Sequence, residues 1–186
     1  MMTMTKANQK LSVGTQALAA VTATVAAVVL PQIFHLLGAT SGLGTALGET
    51  FLPMHLPILL VGLLAGPYAG AVAGVLSPLA SFALTGMPTS AMLPFMMIEL
   101  CVYGLTSGLL RDVRFPTVGK VLCAQVAGRA VRAVAILLAV YAFGSHAVPV
   151  AVIWKSISAG IFGLALQWVL LPLLMYRIEH RESHEE

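Results

Sequence analysis

The sequence predicts an all-α integral membrane protein, a single bundle of six transmembrane helices with both termini in the cytoplasm. Three observations carry that prediction. The 186 residues are 59% hydrophobic and 9% charged, against about 25% charged in a typical soluble domain. A soluble fold of this length could not cover so much apolar surface. Apolar runs recur along the whole chain, and six spans of about 20 residues with short connections use nearly all of it. The Lys and Arg residues outside the runs fall on alternate connections, as expected of a chain threaded back and forth through a bilayer.

The elements follow in order. Residues 1–10 are polar and weakly basic, with no small-residue cleavage site behind a short apolar core, so the next segment reads as retained. Span 1 runs from about Leu11 to Leu30, or to Leu37 past Pro31, and a Gly/Thr-rich loop, Gly38 to Thr50, follows. Span 2 covers Leu52 to Gly66, and Gly66-Pro67 marks a tight turn. Span 3 covers Tyr68 to Leu84, a second short loop Thr85 to Ser90, and span 4 Met92 to Leu110. After the charged connection Arg111 to Lys120 come span 5 (Val121 to Phe143), a brief turn and span 6 (Pro149 to Tyr176). A charged tail, 177–186, ends a chain that reads as one transmembrane domain over residues 1–186. Spans 2 and 3 are short for a ~30 Å hydrocarbon core, so their merger into one bent hairpin is the alternative count.

Orientation follows from the loops. Lys6 and Lys10 precede span 1, Arg111, Arg114 and Lys120 lie between spans 4 and 5, and Arg177 and Arg181 follow span 6. The loops after spans 1, 3 and 5 carry no Lys or Arg, which puts both termini in the cytoplasm. The net charge of +3 therefore reads as topology, with no nucleic-acid partner. Cys101 and Cys123 lie in apolar segments and read as small core residues. Small residues recur four apart at Ala19, Ala23 and Ala27 and at Gly62, Gly66, Gly70 and Gly74. Such stripes let helices approach closely in lipid, either within this chain or against another membrane subunit.

Four ionisable residues fall inside spans: Glu99, Arg129, Arg132 and Lys155. Each costs at least ~2.5–3.5 kcal/mol at mid-membrane, so each needs a partner or a wet cavity. At ~1.5 Å rise per residue, Glu99 lies roughly 10 Å and Lys155 roughly 9 Å below the outer ends of their spans. Arg132 is near the middle of span 5, with Arg129 one turn deeper on the same face. An internal ion-pair network that only fixes helix packing is one reading. The other starts from three cations facing one anion: a closed network should balance better, and surplus buried charge invites an anionic ligand.

Other signals are weaker. Gly38 to Gly44 mimics a nucleotide-binding glycine loop but lacks the strand before it and helix after it that such a loop needs. No Walker A pattern occurs, so ATP hydrolysis would fall to a partner. His55, in Pro53-Met54-His55-Leu56-Pro57, reads as an interface residue or a ligand contact. Met54, Met87, Met92, Met96 and Met97 cluster near the same mouth and suit an adaptable apolar pocket. Nothing suggests a nucleophile, a metal site or a cofactor, so the chain does not read as an enzyme.

Taken together, Pro53-Met54-His55-Leu56-Pro57, Gly62-Leu63-Leu64-Ala65-Gly66-Pro67, Ser77-Pro78-Leu79, Gly86-Met87-Pro88, Ile98-Glu99-Leu100 and Tyr103-Gly104-Leu105 resemble the substrate-binding S components of energy-coupling-factor (ECF) transporters. The resemblance implies capture of a vitamin-like micronutrient from outside a prokaryotic cell membrane, beneath loops 38–50 and 85–90. It implies a transmembrane coupling subunit and two ATPase subunits as partners. It also implies that Ala19 and Ala23 form an Ala-x-x-x-Ala docking motif for the coupling subunit. Glu99, Arg132, Lys155, His55, Arg129, Tyr103 and Met87 are the expected substrate contacts. Surplus cations favour an acid such as pantothenate or niacin, while His55 and the methionines leave haem or a cobalamin-like ligand open. The rival readings are a self-sufficient proton- or sodium-coupled carrier that titrates Glu99, and an assembly subunit whose buried charges only pair.

Overall fold

Seven helices follow one another among the described residues: α1 (Val13–Thr40), α2 (Ala46–Phe51), α3 (His55–Ala65), α4 (Pro67–Thr85), α5 (Leu93–Leu109), α6 (Thr117–Tyr141) and α7 (Ala151–Glu182). The computed structural model describes residues 11–44 and 46–182, without the side chains of 179, 181 and 182. Lys6, Lys10, the side chain of Arg181 and the end of the charged tail lie outside the described residues. α1, α4, α6, α7 to Ile178, and α2 with α3 taken together (Ala46–Ala65) are each long and apolar enough to cross a bilayer. α5, at 17 residues, is shorter, about 26 Å at ~1.5 Å per residue. The chain is a multi-pass, all-helical membrane protein.

Local sequence explains the helix ends. Ser12 caps α1, its Oγ accepting from the Thr15 N–H at 3.1 Å. Gly66 separates α3 from α4 at φ 101°, a conformation that glycine reaches without strain, and Pro67 starts α4 where a missing N–H costs nothing. The hairpin is therefore two helices, as the Gly-Pro pair predicts. α4 ends at Gly86 in the left-handed conformation.

Two expectations are corrected at the first connection. α1 runs through Pro31 to Thr40 instead of ending at Leu30 or Leu37. A proline deletes only one intrahelical hydrogen bond, and Pro31 is buried where neighbours cover the spot. The loop expected over Gly38 to Thr50 is largely helical. Its glycines make a tight turn in which the Leu43 and Gly44 N–H groups both donate to the Gly38 carbonyl, and α2 follows. An aromatic chain pins α2 between its neighbours: Phe51 stacks on Phe34 of α1 at 5.2 Å and edge-on to Phe162 of α7 at 5.4 Å.

The glycine stripe packs inside the chain. A Cβ on Gly70 would run into the backbone of Gly104, one on Gly74 into Leu100, and one on Gly108 into Pro67. α4 and α5 thus cross backbone against backbone, the approach that small residues allow in lipid. Ala20, Ala23 and Ala27 are likewise core residues, with α1 packed on α3 and α4. Of the cysteines, Cys123 is exposed on α6 rather than in the core.

Candidate substrate site

At the end of the bundle farthest from the start of α1 and the end of α7, the helices splay around a cavity of about 370 Å³. Its wall draws on α1 (Pro31), α2, α3 (His55), α4 (Ser81), α5 (Met96, Glu99), α6 (Arg129, Arg132) and α7 (Lys155, Ser156). Arg111 and Arg114 sit on the connection at the opposite end, and Lys120 in the first turn of α6 that follows it. Lys120 Nζ there donates to the Arg111 carbonyl at 2.6 Å.

Glu99 is the centre of the floor. Arg132 Nη1 lies 2.8 Å from its Oε2, Arg129 Nε lies 3.0 Å from its Oε1, and the Tyr103 hydroxyl donates to Oε1 at 3.2 Å. The same hydroxyl accepts from Arg129 Nε at 3.2 Å, and Arg129 Nη1 donates to the Ser156 carbonyl of α7 at 3.2 Å. The spacing that produces this is simple. Glu99 and Tyr103 are one turn apart on α5, Arg129 and Arg132 one turn apart on α6, and the two faces oppose each other. One carboxylate thus holds two guanidiniums, and the floor carries a positive surplus.

The structure brings most of the expected contacts together. Glu99, Arg132, Arg129, His55, Lys155 and Met87 all line the cavity. Tyr103 does not: it is fully buried behind the wall, its hydroxyl occupied by Glu99 and Arg129. It hydrogen-bonds those two groups from behind the cavity lining. Met54, Met87, Met92 and Met96 supply apolar lining, whereas Met97 is not part of it. Lys155 is exposed at the rim, with no ion pair among the described residues. Ala23 is buried within the chain and Ala19 half-buried beside it, so their shared face turns into the bundle. The outward side of α1 presents Leu18, Val21, Val25 and Val29.

The charge count also changes. Glu49 of α2 lines the cavity, so three cations face two acids rather than one. It is the only acid in the first connection, which was the available signal, but nothing in the sequence folded that loop into a helix over the mouth. Ser156, next to Lys155, contributes its backbone, which no residue-type argument could find.

His55 is held from behind. The Leu52 carbonyl accepts from the His55 N–H at 3.1 Å and from Gln167 Nε2 of α7 at 3.4 Å. Gln167 in turn accepts from Gln125 at 3.0 Å, and Gln125 from Trp168 Nε1 at 2.7 Å. Leu52 itself sits at φ 49°, a conformation costly for a branched side chain and typical of positions that surrounding contacts over-determine. The His55 ring lies 5.2 Å from the Tyr103 ring, and the residue is buried, 4% exposed. Neither of its ring nitrogens makes a well-formed hydrogen bond with the described residues.

A family model described as "ECF transporter, substrate-specific component" matches residues 11–175. No characterised protein and no solved structure matches the chain significantly.

Proposed function

The chain belongs to the substrate-specific components of ECF transporters, transport-binding subunits rather than enzymes, and on that premise we propose that it captures a small anionic micronutrient. The solute enters from outside a prokaryotic cell membrane into the cavity floored by Arg129, Arg132 and Glu99. The observation that carries this reading is the floor itself: two buried guanidiniums converge on one carboxylate in the wall of a cavity, so a bound anion completes the charge balance. About 370 Å³ is at the low end of the ~300–1,000 Å³ of small-molecule pockets. That volume suits an acid such as pantothenate or niacin better than a haem or corrinoid.

In this reading six helical passes leave both termini in the cytoplasm, with α2 and α3 forming one pass and α5 the shortest. Arg111, Arg114 and Lys120 then lie on the cytoplasmic side and the cavity opens outward. The α1–α2 connection and residues 85–90 cover the mouth. A coupling membrane subunit and two ATPases supply the energy. Docking on α1 uses its outward valine and leucine face beside Ala19, since Ala23 is packed within the chain.

Reconstitution into liposomes tests this. The chain alone should bind a radiolabelled acid without net uptake under proton or sodium gradients, and uptake should appear only with coupling and ATPase subunits plus ATP. Gradient-driven uptake by the chain alone would instead establish the self-sufficient carrier.

A further inference from the structure

The end of the bundle opposite the cavity carries more positive charge than its described side chains balance. Arg111 and Arg114 lie on the α5–α6 connection, Lys120 in the first turn of α6 and Arg177 near the end of α7. Asp112 pairs with Arg111 at 3.4 Å, and Lys120 donates to the Arg111 carbonyl. Arg114 and Arg177 are exposed and make no ion pair among the described residues.

Helix register brings these two arginines to one edge. Gln125 of α6 bonds Gln167 and Trp168 of α7, and further out Arg129 bonds Ser156, so the two helices run antiparallel. At ~1.5 Å per residue, Thr117 lies about 12 Å along α6 from Gln125, and Arg177 about 15 Å along α7 from Gln167. Arg177 is therefore level with the connection that holds Arg114.

That connection is ordered by its own bonds. The Val113 N–H donates to the Leu110 carbonyl at 3.1 Å, and the Phe115 N–H to the Val113 carbonyl at 2.8 Å. The Phe115 ring lies against Gly119, where a Cβ would run into it. It therefore lies along α6, on the face that continues through Leu122 and Val126. All three are exposed, as are Val169, Leu173 and Tyr176 of α7.

In a bilayer, acyl chains cover these apolar faces, and each lipid then presents its headgroup at the height of the arginines. Basic residues at the ends of membrane helices attract anionic headgroups, each by on the order of fivefold in binding. We propose that this edge of α6 and α7 binds an anionic phospholipid, with Arg114 and Arg177 facing its phosphate and the exposed helix faces carrying its chains. The proposal needs only that the chain spans a bilayer, and it stands apart from the identity of the solute.

Melting and native mass spectrometry of the full chain in mild detergent test this. The added probes are phosphatidylglycerol, phosphatidylcholine with the same acyl chains, and glycerol phosphate. Phosphatidylglycerol should raise the melting temperature more than phosphatidylcholine and be retained in preference to it, and glycerol phosphate should do neither. R114Q/R177Q removes two exposed cations that hold no ion pair, so it should melt like wild type in phosphatidylcholine. Its preference for phosphatidylglycerol should fall by on the order of twentyfold, and that of either single variant by about fivefold. Equal stabilisation of wild-type protein by the two lipids overturns the proposal, as does a preference that survives in R114Q/R177Q. Glycerol phosphate matching phosphatidylglycerol would assign the edge to a soluble phosphate compound instead. An R114Q/R177Q protein that keeps its lipid preference but no longer assembles with coupling and ATPase subunits would make the edge a protein interface, and also overturns the proposal.

Discussion

Arg132 donates to Glu99 across the α5–α6 interface at 2.8 Å, and both side chains are more than nine-tenths buried. Because Arg129 claims the other carboxylate oxygen, Glu99 is the anchor for two cations. Replacing Glu99 with Gln leaves both without a counter-charge. Breaking a buried pair from one side costs about 3–5 kcal/mol, so E99Q should unfold at clearly lower temperature in detergent. Adding R132Q to E99Q should recover part of the loss.

Removing a cation has the opposite emphasis. Glu99 keeps Arg129 and Tyr103 when Arg132 is lost, so R132Q should still accumulate in the membrane. Solute affinity should fall by roughly tenfold to a hundredfold, the worth of a charge-assisted hydrogen bond. Equilibrium binding on purified R132Q, beside its expression level, checks both halves.

The α4–α5 crossing tolerates no side chain. Gly104→Val places bulk directly against the Gly70 backbone. Overpacking of this kind costs about 1–3 kcal/mol or more. G104V should therefore fail to accumulate as folded protein. Gly14→Ala, whose added carbon would meet only Ser12 Oγ at 3.9 Å, should be neutral. Fluorescence-detected size exclusion separates the two outcomes.

Gln167 acts at a distance from the solute. Gln167→Leu removes one of the two donors to the Leu52 carbonyl and strands the Gln125 amide. It should cost about 1–3 kcal/mol of stability and weaken binding severalfold through the seating of His55, with every cavity-lining side chain unchanged. Paired melting and binding curves on Q167L test this.

Membrane sidedness is read from two exposed positions at opposite ends of the bundle. Thr89→Cys should react with an impermeant maleimide on intact cells, and Arg114→Cys only after permeabilisation. The reverse pattern would invert the topology and close the cavity to external solute.

Much of this architecture was legible because its causes are local. Apolar runs and the Gly66-Pro67 break each act within a few residues. The floor was legible too, since the cost of Glu99, Arg129 and Arg132 in lipid demands that they meet. What escaped depends on tertiary placement. Pro31 passes unnoticed inside α1 because neighbours bury it, and the glycines before α2 turn the chain instead of loosening it. Tyr103 looks like a ligand contact by proximity to Glu99, yet one helical turn carries it behind the wall. The Ala23 face could serve another subunit or this one, and it is the packing of α1 on α3 and α4 that buries Ala23 within this chain.

Native mass spectrometry of the chain purified in mild detergent, run beside R132Q, bears most directly on the claim that this cavity holds an anionic solute. Wild-type protein should carry a small acid of a size compatible with about 370 Å³, and R132Q should emerge without it. Wild-type and R132Q proteins that both remain bare after saturation with candidate acids, or that both retain the same neutral molecule, would contradict it.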